Sequence, residues 1–258
     1  MRLLIKIGGT LLDSEESRRR LSHEVATISG EGHRVVVIHG GGRQMTRFLG
    51  ERGQESRFID GLRVTTPETL DAVLKVLAGS VNKQLVASLI EAGAQAVGLS
   101  GIDACLVEAE PLRAELGSVG RPVRCNAGLL VCLAGASYLP VVACVAGDHQ
   151  GRIYNVNADQ MAVACASGFG ADQLVFLTDV DGVHGDNGQV LALLSLAASQ
   201  DLIRRGVAKG GMQAKLNAAA EALRNGIQQV VIAPGKAENG IRRVLAGEAL
   251  GTRLVKEA

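Results

Sequence analysis

Two lysines occupy positions where a bound anion would explain them. Lys6 interrupts the apolar segment 3–7, and a lysine buried in a strand costs free energy unless an anionic group neutralises it. Lys215 lies near the start of a helix predicted over 212–225, where the helix dipole disfavours positive charge. The alternative for Lys6 is a strand-end lysine whose ammonium reaches solvent. Together the two lysines favour a site for a negatively charged group.

Glycine-rich segments next to these lysines could bind the same anion. Gly8 and Gly9 follow the first apolar segment, and three glycines at 40–42 follow His39 and open a helix. Glycine lets backbone N–H groups approach an anion closely, and a helix N-terminus adds to the attraction. His39 by itself is more typical of a hydrogen-bonded structural histidine than of a catalyst.

Polar side chains in two further segments could hold an organic acid. Arg63 lies in a short β-like stretch, and a guanidinium suits bidentate binding of a carboxylate, although a solvent-exposed arginine is the alternative. Asn155, Asn157 and Asp159 alternate, so an extended chain would direct them to one side. The simpler interpretation is that Asn157 caps a helix and Asp159 is favoured by its dipole.

Composition and missing motifs exclude several function classes. The chain has no GxxxxGK[ST], GxGxxG or GxSxG pattern and no metal-ligand spacing, so we expect no P-loop, dinucleotide fold, nucleophile elbow or protein-bound metal. A net charge of +1 and 2% aromatic residues argue against nucleic acid as a partner. No membrane span, signal peptide or CxxC is apparent, so we expect a cytoplasmic protein without a disulfide framework.

The elements that must position these groups alternate between strands and helices. Short β-branched apolar segments predict strands at 3–7, 35–39, 96–99, 139–145, 174–178 and 230–233. Longer patterns between them predict helices at 15–28, 67–77, 81–92, 127–136, 158–167, 196–205, 212–225 and 240–246. The alternation predicts an α/β fold, a three-layer αβα sandwich with a mainly parallel open sheet. Ligands of such sheets bind beyond the carboxyl ends of the strands, where the glycine-rich segments fall.

Two segments break the alternation. The stretches 104–124 and 147–154 are rich in glycine and short strand-like pieces, and they predict hairpins beside the main sheet. A new strand-helix series begins after 170–173, which places a lobe boundary there.

Six motifs, in this order over nearly the whole chain, resemble those of the amino acid kinase family. They are KIGG at 6–9, HGGG at 39–42, GLRVT at 61–65, NVNADQ at 155–160, DVDGV at 179–183 and GGMxxK at 210–215. GLRVT and NVNAD are the more specific pair, and they favour the branch that acts on N-acetyl-L-glutamate. The resemblance implies a substrate-binding and dimerising lobe over 1–172 and an ATP-binding lobe over 173–258.

The same resemblance implies roles for individual residues. Lys6 and Lys215 would stabilise charge on the transferring phosphoryl group, and Asp159 would hold both lysines. The substrate would contact Gly41, Gly42, Arg63 and Asn155. The nucleotide would be lined by Gly8, Gly9, Asp179, Val180, Asp181, Gly182, Val183, His184, Val207, Ala208 and Lys209. No side chain would bind a metal, because Mg²⁺ would be bound through the ATP phosphates.

The activity implied is ATP-dependent phosphorylation of the side-chain carboxylate of N-acetyl-L-glutamate in arginine biosynthesis. A glutamate-type carboxyl has a pKa near about 4.3, so it is already an ionised nucleophile and needs no general base. The first predicted strand begins at Leu3, which leaves no room for the extra helix of arginine-sensitive relatives. We therefore expect a homodimer without feedback inhibition by arginine.

Other functions stay open from the residues alone. The acceptor could be N-acetyl-α-aminoadipate, glutamate or aspartate, since one methylene changes binding by only about 1–3 kcal/mol. A UMP kinase would need base-recognising groups that are not apparent. A catalytically silent module that binds an amino acid would have no reason to retain Lys6, Asp159 and Lys215 together.

Overall fold

The computed structural model describes residues 1–257, whose strands form one large sheet, one small barrel and one short hairpin. The strands are β1 (Arg2–Ile7), β2 (Arg34–His39), β3 (Phe58–Ile59), β4 (Leu62–Arg63), β5 (Ala96–Ser100), β6 (Val107–Pro111), β7 (Val119–Cys125), β8 (Leu139–Ala143), β9 (Val145–Gly147), β10 (Ile153–Val156), β11 (Gln173–Thr178), β12 (Leu193–Ser195), β13 (Gln229–Pro234) and β14 (Thr252–Val255).

The large sheet has eight strands in the order β12-β14-β13-β11-β1-β2-β8-β5. Every neighbouring pair is parallel except β13 with β14. In β1, Ile5 aligns with Val37 on one side and with Val175 on the other. The central strands are apolar on both faces because helices cover both faces. The carboxyl ends of β1, β2, β8, β11 and β13 consequently meet at one edge.

The helices form the two outer layers. They are α1 (Glu15–Gly30), α2 (Gly42–Gly50), α3 (Pro67–Val73), α4 (Asn82–Glu91), α5 (Gly128–Gly135), α6 (Ala158–Phe169), α7 (Leu196–Arg204), α8 (Gly210–Arg224) and α9 (Gly240–Leu245). Buried residues of α1, α2, α3, α4 and α9 share one apolar core with the sheet, and those of α5, α6, α7 and α8 share the other. The predicted three-layer αβα architecture with a mainly parallel sheet is therefore confirmed.

The small barrel is closed by β6, β7, β9 and β10. It accounts for both irregular segments of the sequence, since β6 pairs with β7 and β9 pairs with β10, each pair antiparallel. The barrel is tied to the β3-β4 hairpin by the backbone of Thr65, which accepts from Ser118 and donates to Leu116. The predicted hairpins beside the sheet are confirmed, and they bring β10 toward the carboxyl edge of the sheet.

Three details of the predicted elements were wrong. The helices predicted at 67–77 and 81–92 are one continuous helix, because a π-helical segment, Leu74–Val81, joins α3 to α4. Its Gly79 and Ser80 lower helix propensity, but Leu77 and Val81 are buried in the core and hold the segment in place. The strand predicted at 139–145 is divided after β8, since β9 belongs to the barrel. Strands β12 and β14 were not predicted.

One helical segment of the described chain, Pro67–Glu91, is long and apolar enough to cross a membrane by length and composition alone. Of its most apolar window, 44% is buried inside the protein. Val73, Leu85 and Leu89 of this segment pack in the same core as the central strands. The segment is thus the core helix of one outer layer.

Candidate active site

One carboxylate bridges two lysines at the carboxyl edge of the sheet. Lys6 Nζ lies 2.7 Å from Asp159 Oδ1, and Lys215 Nζ lies 3.4 Å from Asp159 Oδ2. The side chains of Lys6 and Asp159 are each 8% exposed, and that of Lys215 is 19% exposed. The predicted anionic partner of the buried Lys6 is therefore Asp159. Two ammonium groups and one carboxylate leave one positive charge, which can neutralise an incoming anion.

Three different elements position this cluster. Lys6 lies next to the last residue of β1, Asp159 lies in the first turn of α6, and Lys215 lies in the second turn of α8. The side chain of Asn157 accepts hydrogen bonds from the N–H groups of Asp159 and Gln160, at 2.9 and 3.2 Å. Asn157 is thus the N-cap of α6, as the simpler interpretation of the sequence proposed.

The ionisation state of Asp159 follows from its surroundings. Burial acts to raise the pKa of the Asp159 carboxyl, but the charges of Lys6 and Lys215 outweigh burial and hold the pKa below its usual value. The carboxylate is charged at neutral pH, and it keeps both ammonium groups in fixed positions.

Two glycine turns approach each other beside the cluster. A Cβ added to Gly9 would lie 3.0 Å from the N atom of Gly41 and 3.2 Å from that of Gly42, so the close contact requires glycine at position 9. Gln44 stabilises this contact, since its Nε2 donates to the carbonyl of Gly9 at 3.0 Å. Helix α2 begins at Gly42, and its first-turn N–H groups have no intrahelical partner. Such groups are suited to binding a phosphate or carboxylate.

His39 supports the second glycine turn from below. Its Nδ1 lies 3.0 Å from the carbonyl O of Gly40, and the amide Nδ2 of Asn82 lies 3.1 Å from its Nε2. The tautomer that satisfies both contacts carries its proton on Nδ1 and accepts from Asn82. Burial lowers the pKa of His39 to about 4, so the ring is neutral at physiological pH. These contacts favour the structural interpretation of His39.

A cavity of about 190 Å³ opens next to the glycine turns, with Arg63 in its wall. The Arg63 guanidinium donates to the Gly42 carbonyl at 3.0 Å and to Thr46 Oγ1 at 2.9 Å, and it lies 4.7 Å from the centroid of the Phe58 ring. Burial lowers the pKa of Arg63. Among residues 1–257 Arg63 forms no ion pair, so a buried positive charge is available to an acidic ligand.

The rest of the cavity wall is mainly apolar, with one amide. Asn155 Nδ2 donates to Thr65 Oγ1 at 3.1 Å, and Thr65 Oγ1 donates to the Arg63 carbonyl at 2.9 Å. This chain of contacts joins the GLRVT and NVNAD segments, which lie about ninety residues apart in sequence. The apolar wall comprises Met45, Leu62, Val73, Leu77, Val119 and Val156. The cavity is suited to a short, partly apolar acid.

The segments assigned to the nucleotide follow β11 and precede α8. Asp179, Val180, Asp181, His184 and Lys209 are exposed, whereas Gly182, Val183 and Ala208 are buried and Val207 is half-buried. The N–H group of Val183 donates to Thr252 Oγ1 at 2.8 Å. Gly8 connects this side to the first glycine turn, because its N–H donates to the Leu177 carbonyl at 3.0 Å.

Four residues at the site were missed in the sequence. Gln44, Thr65, Asn82 and Cys144 position the glycine turns or line the cavity. Gln44 directly follows HGGGR, so its place after that turn was a usable signal. Asn82 lies within a helix, and only the folded chain shows that its amide reaches His39.

Comparison with known proteins identifies the class. The family model "Amino acid kinase family" matches residues 1–234, and the chain belongs to this family. The resemblance inferred from the six motifs is thereby confirmed.

Individual relatives narrow the comparison. The chain is 62% identical over 255 residues to "Acetylglutamate kinase" of Solibacter usitatus, covering 99% of both chains. It is 44% identical over 239 residues to the protein of the same name from Acidobacterium capsulatum, covering 92% of each. It superimposes with a TM-score of 0.90 and 25% identity on N-acetylglutamate synthase from Neisseria gonorrhoeae complexed with coenzyme A and N-acetyl-glutamate. That match covers 100% of this chain and 60% of the synthase chain.

Proposed function

We propose that the chain is an ATP-dependent kinase that phosphorylates the side-chain carboxylate of N-acetyl-L-glutamate, giving N-acetyl-L-glutamyl 5-phosphate for arginine biosynthesis. The observation that carries this proposal is the Lys6–Asp159–Lys215 cluster beside a small cavity with a buried, unpaired Arg63. The name shared by relatives at 62% and 44% identity supports the choice of acceptor.

The geometry explains how the transfer proceeds without a general base. The acceptor carboxylate is ionised at neutral pH, and it attacks the γ-phosphorus of ATP while ADP leaves. Catalysis then consists of bringing two anions together and neutralising the equatorial phosphoryl oxygens. Lys6 and Lys215 supply the positive charge, and Asp159 keeps them in place.

The cavity residues position the acceptor. Arg63 binds the α-carboxylate, Asn155 binds the acetamido group, and the N–H groups of Gly41 and Gly42 hold the reacting carboxylate. The two anionic ends of the substrate are thereby distinguished, since a guanidinium favours the permanent carboxylate and a backbone turn favours the transferring end. Apolar side chains around them exclude water from the acyl phosphate product.

The nucleotide contacts come from Gly8, Gly9 and the exposed turns after β11 and before α8. Residues 1–257 contain no cluster of three or more His, Cys, Asp or Glu side chains arranged to hold a metal ion. Mg²⁺ bound through the ATP phosphates neutralises part of their charge, so no protein ligand set is required.

The wider organisation follows from the sheet order. Strands β11 to β14 form one half of the sheet, and they belong to an ATP-binding lobe over 173–258. The other half belongs to a substrate-binding lobe over 1–172. We place a homodimer contact on this lobe, at edge strand β5 and the charge-free helix α5, where Val131 and nearby Tyr138 are exposed. The compartment is the cytoplasm.

The test is ATP-dependent acyl phosphate formation, trapped as hydroxamate, with four acids side by side. N-acetyl-L-glutamate is expected to give the highest kcat/KM among N-acetyl-L-glutamate, N-acetyl-α-aminoadipate, L-glutamate and L-aspartate. A preference for another acid would retain the mechanism and reject the acceptor. Inactivity with all four would reject the kinase and favour a silent binding module.

A further inference from the structure

A second cavity, of about 410 Å³, lies between β7, α6 and α8. It shares no lining residue with the cavity that contains Arg63. Its volume falls in the range of about 300–1,000 Å³ that is usual for small-molecule sites. The phosphoryl transfer described above makes no use of it.

Two buried oxygen atoms in its wall lack hydrogen-bond partners. They are Gln160 Oε1 and Ser167 Oγ, and each is shielded from solvent. The two residues are seven positions apart on α6, so they lie on the same face two turns apart. Buried polar atoms in native proteins almost always have a partner, and an unpartnered one is explained when a ligand supplies it. Both residues line this cavity.

Charged side chains of opposite sign complete the wall. Arg124 of β7 and Glu221 of α8 both line the cavity, and neither forms an ion pair within the part of the chain that is described. The neighbouring Arg121 is already paired with Glu110. The cavity therefore offers one free cation, one free anion and two oxygen atoms that await a partner.

We propose that this cavity is a binding site for a small zwitterion, a free α-amino acid. Arg124 binds the carboxylate, Glu221 and Gln160 Oε1 accept from the ammonium group, and Ser167 Oγ bonds to the carboxylate or to a polar side chain. A simple anion would leave Glu221 without a partner and repelled, and a simple cation would do the same to Arg124.

The site is connected to the lysine cluster through both helices. Gln160 directly follows Asp159 in the first turn of α6, and the Asn157 cap binds the N–H groups of both. Glu221 lies on α8, which also carries Lys215. A ligand that bridges α6, α8 and β7 therefore restrains the two helices that carry Asp159 and Lys215.

The experiment is calorimetric titration of the intact protein with each common L-amino acid in turn, at millimolar concentration. At least one is expected to bind, with the same affinity when N-acetyl-L-glutamate is present at saturation. Its amide and its N-acetyl derivative, which each lack one charge, are expected to bind about tenfold more weakly or worse, as is typical for loss of a charged hydrogen bond.

Substitutions locate the binding. Arg124→Gln and Glu221→Gln are expected to weaken it about tenfold each. Arg224→Gln is the matched control on the exposed face of α8, and it is expected to leave binding unchanged. The proposal is overturned if no amino acid binds, if N-acetyl-L-glutamate displaces the bound amino acid, or if both substitutions leave the affinity unchanged. Binding is measured without turnover, so these outcomes are independent of the kinase assay.

Discussion

The two sides of the site are built differently. On the substrate side the functional groups are charged side chains that are buried and held by specific partners: Lys6 and Asp159 are each 6% exposed, and Arg63 is 8% exposed. On the nucleotide side Asp179, Asp181 and Lys209 are exposed, and the buried residues offer mainly backbone.

The difference shows where the protein invests in fixed geometry. Acceptor and lysines must be aligned before transfer, and a buried ion pair holds that alignment because no water competes with it. The nucleotide carries its own charges and a bound cation, so it can be held by turns and by exposed side chains. We therefore expect substitutions on the substrate side to have larger effects than those on the nucleotide side.

The largest effect is expected for the lysine cluster. Lys6→Ala and Lys215→Ala should each lower kcat by at least about 10²-fold, the size typical of losing one electrostatic donor. The measurement is hydroxamate formation at saturating substrates, with the fold checked by circular dichroism. Lys75→Ala is a matched control, because Lys75 also pairs with an aspartate but is exposed. Near-normal turnover in either cluster variant would remove that lysine from the mechanism.

Arg63 separates acceptor binding from nucleotide binding. Arg63→Ala should raise KM for N-acetyl-L-glutamate about fiftyfold, since a charged hydrogen bond contributes about 1.5–3 kcal/mol, and should leave KM for ATP unchanged. Steady-state kinetics with each substrate varied gives both constants. Arg57→Ala, at an exposed arginine nearby, is the control. An equal rise in both KM values would mean that Arg63 only supports the fold.

His39 makes stability depend on pH. Its pKa is about 4 in the folded protein and 6.5 in the unfolded chain, so the unfolded chain binds more protons and stability falls as pH drops through this interval. The contribution of His39 to the free energy of unfolding should fall by about 2 kcal/mol between about pH 7 and pH 5.

Urea unfolding of the parent and of His39→Gln at the two pH values measures this contribution as a difference, which cancels other titrating groups. His23→Gln, at an exposed histidine, should retain the parent's dependence. If the parent and His39→Gln lose the same stability on acidification, His39 is not held neutral by the fold.

The smallest effect is expected on the nucleotide side. Lys209→Ala should raise KM for ATP less than about fivefold, because an exposed ion pair contributes only about 0–1 kcal/mol. Initial rates at varied ATP check this. A change as large as that of Lys6→Ala would show that both sides are equally fixed, and the contrast between them would be lost.

Much of this arrangement could be predicted from the sequence. Lys6, Asp159 and Lys215 were recognisable because each stands where local rules favour another residue or a cap. The glycine turns were recognisable because they follow strong strand patterns. These are local signals, and the parallel sheet brings their positions together at one edge.

Other features depend on contacts between distant segments. Strands β12 and β14 are short, and they are strands because each pairs with the other and β14 also pairs with β13. The cavity wall combines Leu77, Val119 and Val156 from three separate elements, and no local pattern distinguishes them from ordinary core residues. The role of Asn82 has the same origin, because its partner His39 is 43 residues away.

The π-helical segment between α3 and α4 sets the angular phase of everything that follows it in that helix. A π turn contains about one residue more than an α turn, and each residue of an α-helix advances the helix by about 100°. Removing one residue from Leu74–Val81 would regularise the helix and also rotate Asn82 by about that angle, away from His39. The irregular turn therefore works as a spacer, and the alignment of the glycine turn at Gly40–Gly42 depends on its length.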